Sequence, residues 1–428
     1  MTVQVEPSDA ALIAARERVL LPGCELFYDR PVHLVRGEGS HVFDADGGRY
    51  LDAYNNVVSV GHCHPRVVEA VSRQLATLNT HTRYLHEGIV GYSERLLGLL
   101  PDSVDRVLHV CTGSEANDLA LRIAAHHTGA SGVVITANAY HGNTEAVAAI
   151  SPGIGGSVTP GPHVRAVPAP DSYRIPAEDV ATRFAADVTN AIGDLRASGH
   201  GFSGLIVDTI LSSDGIYPDP SILGPAVHVV HDAGGLFIAD EVQPGFGRTG
   251  EAMWGFERHG VTPDLVTIGK PMGNGMPVAA VAVGTDVLES FAHAIPYFNT
   301  YAGNPVSMAA ADAVLDAIED DDLMANAAHV GVELRAQLER LTADKPCVGD
   351  VRGAGLYIGV EIVTDRESGT PDPGAAARIV NGLRERRVLL ATSGRHGNVL
   401  KIRPPLVFSM SDADWLVSEF GEVLAHGV

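Results

Sequence analysis

From about His64 onward, helical stretches of the chain alternate with short apolar segments that are rich in β-branched residues. This alternation is typical of a parallel sheet covered by helices, because parallel strands need long crossover connections. Each apolar segment ends in a polar cluster, and ligands of open α/β sheets bind beyond the carboxyl ends of the strands. We therefore predict an α/β fold with a ligand site along one sheet edge. The candidate strands cover residues 106–112, 132–138, 204–210, 235–242 and 265–270.

The two ends of the chain follow other patterns. Residues 33–54 alternate apolar and polar side chains around a DADGG turn, which predicts a small antiparallel meander after a helical N-terminal arm. After Pro305, a long helix leads to strands near YIGVEIV and VLKIRPPLVF and to a closing helix from about Asp412. A chain of 428 residues is too long for one ordinary core. We expect the arm and small-domain meander in 1–60, a large domain in 61–310, and a small C-terminal domain in 311–428 that packs with the meander.

The acidic composition limits the partners of this chain. A formal net charge of −22 leaves no basic face for nucleic acid or an anionic membrane, so an anionic ligand must meet a local group of cations. We expect no signal peptide, and no run of about 18 apolar residues could span a bilayer. The four cysteines lack the spacing of metal sites or disulfide frameworks. These features predict a cytoplasmic protein with small-molecule ligands.

The motif TGSEANDLALRIA begins where a predicted strand gives way to a helix. A helix N-terminus offers free backbone N–H groups and a positive dipole end, and the hydroxyl of Ser114 adds a further donor. Gly113 and Ser114 are therefore candidates for binding a phosphate group. The alternative is that Ser114 only caps the helix.

Two further motifs fit a planar, phosphorylated ligand. Tyr140 and His141, in ANAYHG, follow a predicted strand and could stack on a flat ring, although an aromatic residue there is more often a packing residue. Thr300, in YFNTYAGNPVS, could bind another phosphate oxygen with its hydroxyl and backbone. Neither motif is specific by itself.

Asp240 and Glu241 end another apolar strand in IADEVQPGFGRTG. A buried acid costs free energy unless a cation is its partner, and a protonated pyridine nitrogen would meet this need for Asp240. The alternative is a metal site made by both acids. Adjacent strand residues point to opposite faces, however, which argues against such a site.

Lys270 closes the apolar strand of LVTIGKPMGNGMPV. A partly desolvated lysine amine has a lowered pKa and becomes nucleophilic. The alternative is an ordinary surface lysine beside a loop. The other motifs favour the first interpretation, in which Lys270 forms a covalent bond with the ligand.

In this order, the five motifs resemble the class III (ornithine/GABA type) aminotransferases of pyridoxal 5′-phosphate (PLP) fold type I, over nearly the whole chain. The resemblance implies a large domain with a mostly parallel sheet, a smaller α+β domain built from both chain ends, and a homodimer with shared active sites, two of which could pair into a tetramer. It also implies that Lys270 carries PLP as a Schiff base and that Asp240 binds the pyridine nitrogen.

The resemblance assigns the remaining cofactor residues. Val242 and Gln243 would lie near the 3-hydroxyl of the cofactor, and Tyr140 would stack on its ring. The phosphate would be held by Gly113 and Ser114, with help from Thr300 of the neighbouring subunit.

Within the family, the phrases YNNVVSVGHCHP, LNTHTRYLHE, GKPMGNGMPV, YFNTYAGNPVS and NVLKIRPPLVF are most similar to the branch of ethanolamine-phosphate and hydroxylysine-phosphate phospho-lyases. Lys401 stands where the amino-acid transaminases usually have an arginine that grips the substrate carboxylate. A lysine suits a phosphate or a less oriented anion. Arg403, two residues further on, could bind a substrate carboxylate through two of its nitrogens in place of that arginine. Two departures concern specificity: Asp208 replaces the usual glutamate, and Met276 stands where phospho-lyases tend to have histidine.

These features predict a PLP-dependent phospho-lyase that eliminates phosphate from O-phosphoethanolamine, with Lys401, Arg403 and Arg83 binding the substrate unless they only form structural ion pairs. The alternative is a transaminase that moves an amino group from an ω-amine or amino acid to a 2-oxo acid. A non-catalytic PLP carrier or DNA-binding regulator is disfavoured by the acidic composition.

Overall fold

The computed structural model describes residues 9–21, 26–155 and 159–426. Within those ranges the helices are α1 (Asp9–Val19), α2 (Pro65–Thr77), α3 (Glu87–Leu97), α4 (Gly113–Thr128), α5 (Glu145–Ala148), α6 (Ala177–Ala197), α7 (Gly224–Asp232), α8 (Thr285–Ala294), α9 (Pro305–Asp320), α10 (Leu323–Thr342), α11 (Pro373–Glu385) and α12 (Met410–Ala425). The strands are β1 (Leu34–Glu38), β2 (His41–Asp44), β3 (Arg49–Asp52), β4 (Arg106–Val110), β5 (Val133–Thr136), β6 (Val164–Val167), β7 (Gly204–Asp208), β8 (Leu236–Asp240), β9 (Leu265–Ile268), β10 (Ala279–Val283), β11 (Val348–Ala354), β12 (Tyr357–Ile362), β13 (Val388–Leu389), β14 (Ala391–Ser393) and β15 (Val399–Ile402).

A seven-stranded sheet in the order β4-β10-β9-β8-β7-β5-β6 forms the centre of the protein. All of its strands are parallel except β10, which runs antiparallel to both β4 and β9. The five predicted strands all belong to this sheet, so the α/β prediction is confirmed. The sequence did not reveal β6, which follows a stretch rich in proline and glycine, or β10, whose AAVAV run is rich in alanine, a residue with low strand propensity.

Alternating side chains of the central strands fill two cores, one on each face of the sheet. In β8, Phe237 and Ala239 pack with side chains of α6 and α7, whereas Leu236 and Ile238 pack with side chains of α4 and α8. Every residue of β8 is buried. Helices on both faces thus shield the sheet, and only its edges and strand ends are open to a ligand.

One of the two smaller sheets joins the two ends of the chain, as predicted. The meander of β1, β2 and β3 continues into β13, which pairs in parallel with β3 through Leu51 and Val388. A second four-stranded sheet has the order β11-β12-β15-β14. The closing helix α12 begins at Met410, because Ser409 caps it in a capping box with Asp412. The exact domain limits stay a prediction.

The N-terminal arm forms α1 as predicted, and none of its side chains is buried. Cys63, Cys111 and Cys347 are unpaired, while Cys24 lies outside the described residues. In the described part of the chain, no helix is both long and apolar enough to cross a membrane. The cytoplasmic location stays a prediction.

Candidate active site

A pocket opens beyond the carboxyl ends of β4, β5, β7, β8 and β9, at the edge where the polar clusters were expected to meet. Eight of the predicted cofactor residues line it, together with two residues that were not assigned, Gly142 and Asp208. The full lining is Gly113, Ser114, Tyr140, His141, Gly142, Asp208, Asp240, Val242, Gln243 and Lys270.

The N-terminus of α4 forms one side of this pocket. Its N-cap is Thr112, which forms a capping box with Glu115. The alternative, in which Ser114 only caps the helix, is therefore wrong. The backbone N–H groups of Gly113 and Ser114 belong to the first turn and have no partner within the helix. They therefore remain available to an anion.

Two glycines let the backbone come close at this corner. A Cβ on Gly113 would lie 3.0 Å from Val242 Cγ1, and a Cβ on Gly142 would lie 2.4 Å from Ser114 Oγ. Gly142 also has a φ of 142°, which other residues rarely adopt. A larger residue at position 142 would therefore fill the space beside the anion site.

Asp240 is buried at the end of β8, where three donors hold its carboxylate. Oδ2 lies 2.7 Å from His141 Nδ1 and accepts a hydrogen bond from Asn117 Nδ2 at 3.0 Å, and Oδ1 accepts from the Val242 N–H at 3.0 Å. Because an ionised carboxylate only accepts, the His141 ring carries its proton on Nδ1. The buried His141 ring thus contacts Asp240. Of the two residues predicted to stack on a flat ring, only Tyr140 is exposed in the pocket.

The sequence did not identify Asn117. Its signal was present, since Asn117 is a polar residue on the face of α4 that otherwise buries Ala116, Leu119, Ala120 and Ile123. A buried amide on an apolar helix face needs partners, and here Asn117 Nδ2 donates to the His141 carbonyl and to Asp240.

Lys270 lies two residues beyond β9, at the start of a short 3-10 turn, and reaches the pocket. Burial lowers the pKa of its amine, and the charge of Arg403 lowers the pKa further, while Asp240 and Asp208 oppose this effect. A larger fraction of the amine is thus uncharged at neutral pH. That is the form which can attack a carbonyl or accept a proton.

Asp208 is the register partner of Asp240 in the neighbouring parallel strand. Burial raises the pKa of Asp208, and the nearby charge of Asp240 raises it further. The sequence marked this position only as a departure from the family. The structure adds it to the wall of the pocket.

Gln243 connects the pocket to the C-terminal part of the chain. Its Oε1 accepts hydrogen bonds from the Tyr357 hydroxyl at 3.0 Å and from Arg403 Nη1. Its Nε2 donates to Ser212 Oγ at 2.5 Å, and the Ser212 hydroxyl donates to Asp208. Gln243 is therefore held at both ends of its amide.

Lys401 and Arg403 lie beside the pocket and are buried, with 7% and 6% exposure. Burial lowers the pKa of Lys401 well below its usual value, and Arg403 and Lys270 add to this effect. No hydrogen bond or ion pair joins the Lys401 amine to the rest of the described chain. Arg403, in contrast, donates from Nε to the Tyr54 carbonyl at 3.1 Å and lies over the Tyr54 ring, with 4.6 Å between Cζ and the centroid.

Arg83 and Thr300 do not line this pocket. Both are exposed, and Arg83 lies over the exposed ring of Phe298, with 4.1 Å between Cζ and the centroid. Large apolar side chains around them, including Tyr84 and Tyr301, are also exposed. Neither residue therefore contributes to the pocket of its own copy.

Glu241 points away from Asp240. Its carboxylate accepts hydrogen bonds from the Thr209 hydroxyl at 2.7 Å and from the N–H groups of Gly255 at 2.7 Å and Phe256 at 2.9 Å. Burial raises the pKa of Glu241 to about 8. The two acids do not converge, as the alternation of strand side chains predicts.

The residues of the pocket fit three chemical groups of PLP. The free N–H groups at the start of α4 fit its phosphate, the Asp240 side chain fits a protonated ring nitrogen, and the Lys270 amine fits its aldehyde.

Comparison with known proteins agrees with this geometry. The family model described as aminotransferase class III matches residues 28–424. An alanine–glyoxylate aminotransferase 2-like protein of Drosophila melanogaster is 40% identical, over 97% of this chain and 87% of the relative. Ethanolamine-phosphate phospho-lyase homolog 1 of Caenorhabditis elegans is 35% identical, over 97% of this chain and 94% of the relative. A solved phospholyase from Arthrobacter, in complex with phosphoethanolamine, is 44% identical and covers 97% of this chain and 99% of its own, with a TM-score of 0.93.

Proposed function

The chain belongs to the class III aminotransferase family, whose cofactor is PLP, and from this premise we propose that it is a phospho-lyase acting on O-phosphoethanolamine or a similar phosphorylated primary amine. The products are an aldehyde, ammonia and inorganic phosphate. The similarity to the Arthrobacter phospholyase and the Caenorhabditis elegans phospho-lyase homolog supports the proposal.

The observation that carries the proposal is a group of three basic side chains at the pocket, Lys270, Lys401 and Arg403, whose mutual effect the nearby acids Asp208 and Asp240 offset only in part. The charge of Arg403 lowers the pKa values of both Lys270 and Lys401, and Lys270 also lowers that of Lys401. Like charges that oppose one another in a buried site are stabilised by an anion. A phosphate dianion provides more of that stabilisation than a carboxylate does.

The position of Arg403 supports the same choice of substrate. Its Nε and Nη1 already donate to Tyr54 and Gln243, and its guanidinium lies over an aromatic ring. Lys401, at the place of the usual carboxylate-binding arginine, offers a point charge and no fork. We therefore propose that Lys401 and Arg403 bind the phosphate of the substrate, with Arg83 contributed by a second copy.

The pocket residues have the following proposed roles towards the cofactor. Gly113 and Ser114 bind its phosphate through N–H groups, and Asp240 holds the proton on its ring nitrogen. Val242 and Gln243 lie against the ring and its 3-oxygen, Tyr140 stacks on the open face, and Lys270 forms the covalent link. When bound, PLP supplies a sink for the electrons of the substrate C–H bond.

Lys270 also moves the proton. Once the substrate amine has taken its place in the covalent link, the freed and uncharged Lys270 amine would accept the proton from the substrate carbon that carries the nitrogen. The bond between the neighbouring carbon and the phosphate oxygen then breaks, and the nearby cations stabilise the departing phosphate. Addition of one water gives acetaldehyde and ammonia from O-phosphoethanolamine, so atoms and charge balance without an oxidant or a second substrate.

The second candidate function is amino transfer to a 2-oxo acid. The 40% identity to the Drosophila alanine–glyoxylate aminotransferase 2-like protein favours it, because the same pocket serves both reactions. The two functions differ in the fate of the electrons after proton removal. Transamination needs an oxo acid as the acceptor, and elimination does not.

The deciding experiment is incubation of the PLP-loaded protein with O-phosphoethanolamine in the absence of any oxo acid. We expect one phosphate and one acetaldehyde for each substrate consumed, and no release from the Lys270→Ala protein. If no phosphate is released while alanine and glyoxylate are converted, the chain is a transaminase.

We also propose a homodimer in which Thr300 of each copy completes the phosphate site of the other, with pairing of dimers into a tetramer as a further possibility. The exposed apolar side chains around Thr300 support this assembly. A mixture of Lys270→Ala and Thr300→Ala chains should regain activity that neither homodimer shows, because half of the sites in a mixed dimer are intact. A monomeric mass by light scattering would contradict the shared site.

A further inference from the structure

The segment that follows β7 has an unusual backbone. Leu211 has a φ of 52° and Ile216 a φ of 64°, in the left-handed region that β-branched residues in particular avoid. The Leu211 carbonyl accepts hydrogen bonds from the N–H groups of Asp214 and Ile216, at 3.1 and 3.0 Å, which closes a tight turn. Strain of this kind persists where the surrounding structure enforces it, and it clusters at functional sites.

The turn carries the Ser212 side chain to the back of the pocket, where it is fully buried. Its hydroxyl donates to Asp208 and accepts from Gln243 Nε2. The carbonyl of Ser212 accepts from the Ser393 hydroxyl at 2.6 Å, which fixes the turn from the other side. Ser212 therefore has little freedom to move.

The contacts of the Gln243 amide with Arg403 and Ser212 determine which way the amide faces. Arginine has only donors, so the end of the amide that meets Arg403 must be the oxygen. The NH₂ group then faces Ser212, which accepts one of its two hydrogens. The second hydrogen remains, and Gln243 is a wall of the pocket.

We propose that Ser212 is a positioning residue, which acts through the Gln243 amide to keep an N–H donor aimed at the cofactor. The chain of donors runs in one direction, from Arg403 through Gln243 and Ser212 to Asp208. Each group donates to the next, so Arg403, which can only donate, fixes one end of the chain and the Asp208 carboxylate accepts at the other. This inference rests on the proposed cofactor pocket, and it holds for elimination and for amino transfer alike.

Removal of the Ser212 hydroxyl has two consequences. The Gln243 NH₂ group loses the acceptor that fixes it, so the donor to the cofactor becomes less ordered. Asp208 also loses a hydrogen bond that lowers its pKa, so the pKa of Asp208 rises further. Both changes alter the hydrogen bonding and the charge around the cofactor, and its visible absorption depends on both.

The test compares Ser212→Ala with Ser213→Ala. Ser213 belongs to the same turn, and in the described part of the chain its hydroxyl has no hydrogen-bond partner, although its carbonyl accepts from Asn138 and Gly394. We expect Ser212→Ala to weaken PLP binding about three- to tenfold, as for one lost hydrogen bond. We also expect the pH midpoint of the cofactor's visible absorption to shift by about half a unit or more. Ser213→Ala should change neither quantity.

Two further variants show whether Ser212 acts through the amide. Ser212→Thr, which keeps a hydroxyl, should retain the wild-type midpoint. If the alanine protein does not fold, Ser212→Cys takes its place in the comparison, because a thiol is a much weaker donor and acceptor than a hydroxyl. In a Gln243→Ala background, Ser212→Ala should produce no further loss of PLP affinity. Equal and additive losses in both backgrounds would show that Ser212 is only structural.

The outcome separates this inference from the pocket on which it rests. If Lys270→Ala keeps the visible absorption of the bound cofactor, the pocket itself is misassigned. If Lys270→Ala loses that absorption while Ser212→Ala behaves like Ser213→Ala, the pocket stands and the positioning role of Ser212 is refuted.

Discussion

Substitution of Lys401 by methionine should separate catalysis from stability. The Lys401 side chain is 7% exposed, and burial lowers the pKa of its amine well below the usual value. Each unit of that shift is a penalty of about 1.4 kcal/mol on the charged form. Methionine has a similar length and no charge to bury, so Lys401→Met should leave the free energy of unfolding unchanged within about 1 kcal/mol, or increase it.

The activity should respond in the opposite sense. A hydrogen bond from a charged amine to a phosphate oxygen contributes about 1.5–3 kcal/mol. Its loss predicts a decrease of about 10- to 150-fold in kcat/KM for O-phosphoethanolamine. If Lys401 acts mainly on the departing phosphate, most of the decrease falls on kcat.

The pH dependence of stability gives an independent check. Because the pKa of Lys401 is lowered in the folded state, the unfolded chain binds more protons between that lowered pKa and the model value of 10.5. Stability from this group therefore rises with pH in that window and is lost as pH falls through it. Lys401→Met should flatten this part of the profile.

The assay combines denaturant unfolding at several pH values with phosphate release, and Lys345→Met is the matched control. Lys345 is a partly exposed lysine that pairs with Asp344 at 3.5 Å, so its substitution should change neither measurement much. The reasoning fails if Lys401→Met keeps the kcat/KM of the control while losing more than about 2 kcal/mol of stability. Lys401 would then be a structural residue.

Three further predictions concern buried titratable groups. Asp240→Asn should keep the fold and lower kcat about 100-fold or more, measured as phosphate release, because a neutral amide no longer holds the proton on the cofactor ring. Since the pKa of Glu241 is raised to about 8, the folded state retains a proton that the unfolded chain releases above about pH 4.5. Stability from Glu241 therefore falls as pH rises from 4.5 to 8, and Glu241→Gln should remove that decline in unfolding experiments. Burial lowers the pKa of His109 to about 4, so stability from this residue is lost as pH falls from 6.5 to 4. Between pH 8 and pH 4, the His109→Gln protein should lose about 3 kcal/mol less free energy of unfolding than the wild-type protein does in the same experiments.

The sequence predicted the strand ends better than the connections between them. The strands that lead to Asp240 and Lys270 have dense β-branched or aliphatic runs followed by polar residues, so both the strand and the site residue were evident. Asp208, at the end of β7, was noted only as a departure from the family. The antiparallel strand β10 was missed because its alanines carry no clear preference. Its position between β4 and β9 depends on contacts that are distant in sequence.

Residues that act through other residues could not be predicted in the same way. Ser212 and Tyr357 are separated by more than a hundred residues, yet both contact the Gln243 amide. Neither lies in a motif, because the hydrogen bond of each depends on tertiary packing and not on local spacing. The sequence offered Arg403 as a substrate-binding candidate that could grip a carboxylate, and only the structure reveals that it already donates to the Tyr54 carbonyl and to Gln243.

The use of lysine in this chain connects the two halves of the proposed mechanism. The sequence contains only three lysines, Lys270, Lys345 and Lys401, and relies on arginine for its other cations. Arginine cannot lose its proton inside a protein, whereas a buried lysine can. Two of the three lysines lie at the pocket, and burial lowers the pKa of both. At position 270 an uncharged amine is needed to form a covalent bond and to accept a proton. At position 401 a buried amine without an ion-pair partner among the described residues avoids the cost of a permanent charge, and it gains a proton when the phosphate of the substrate arrives.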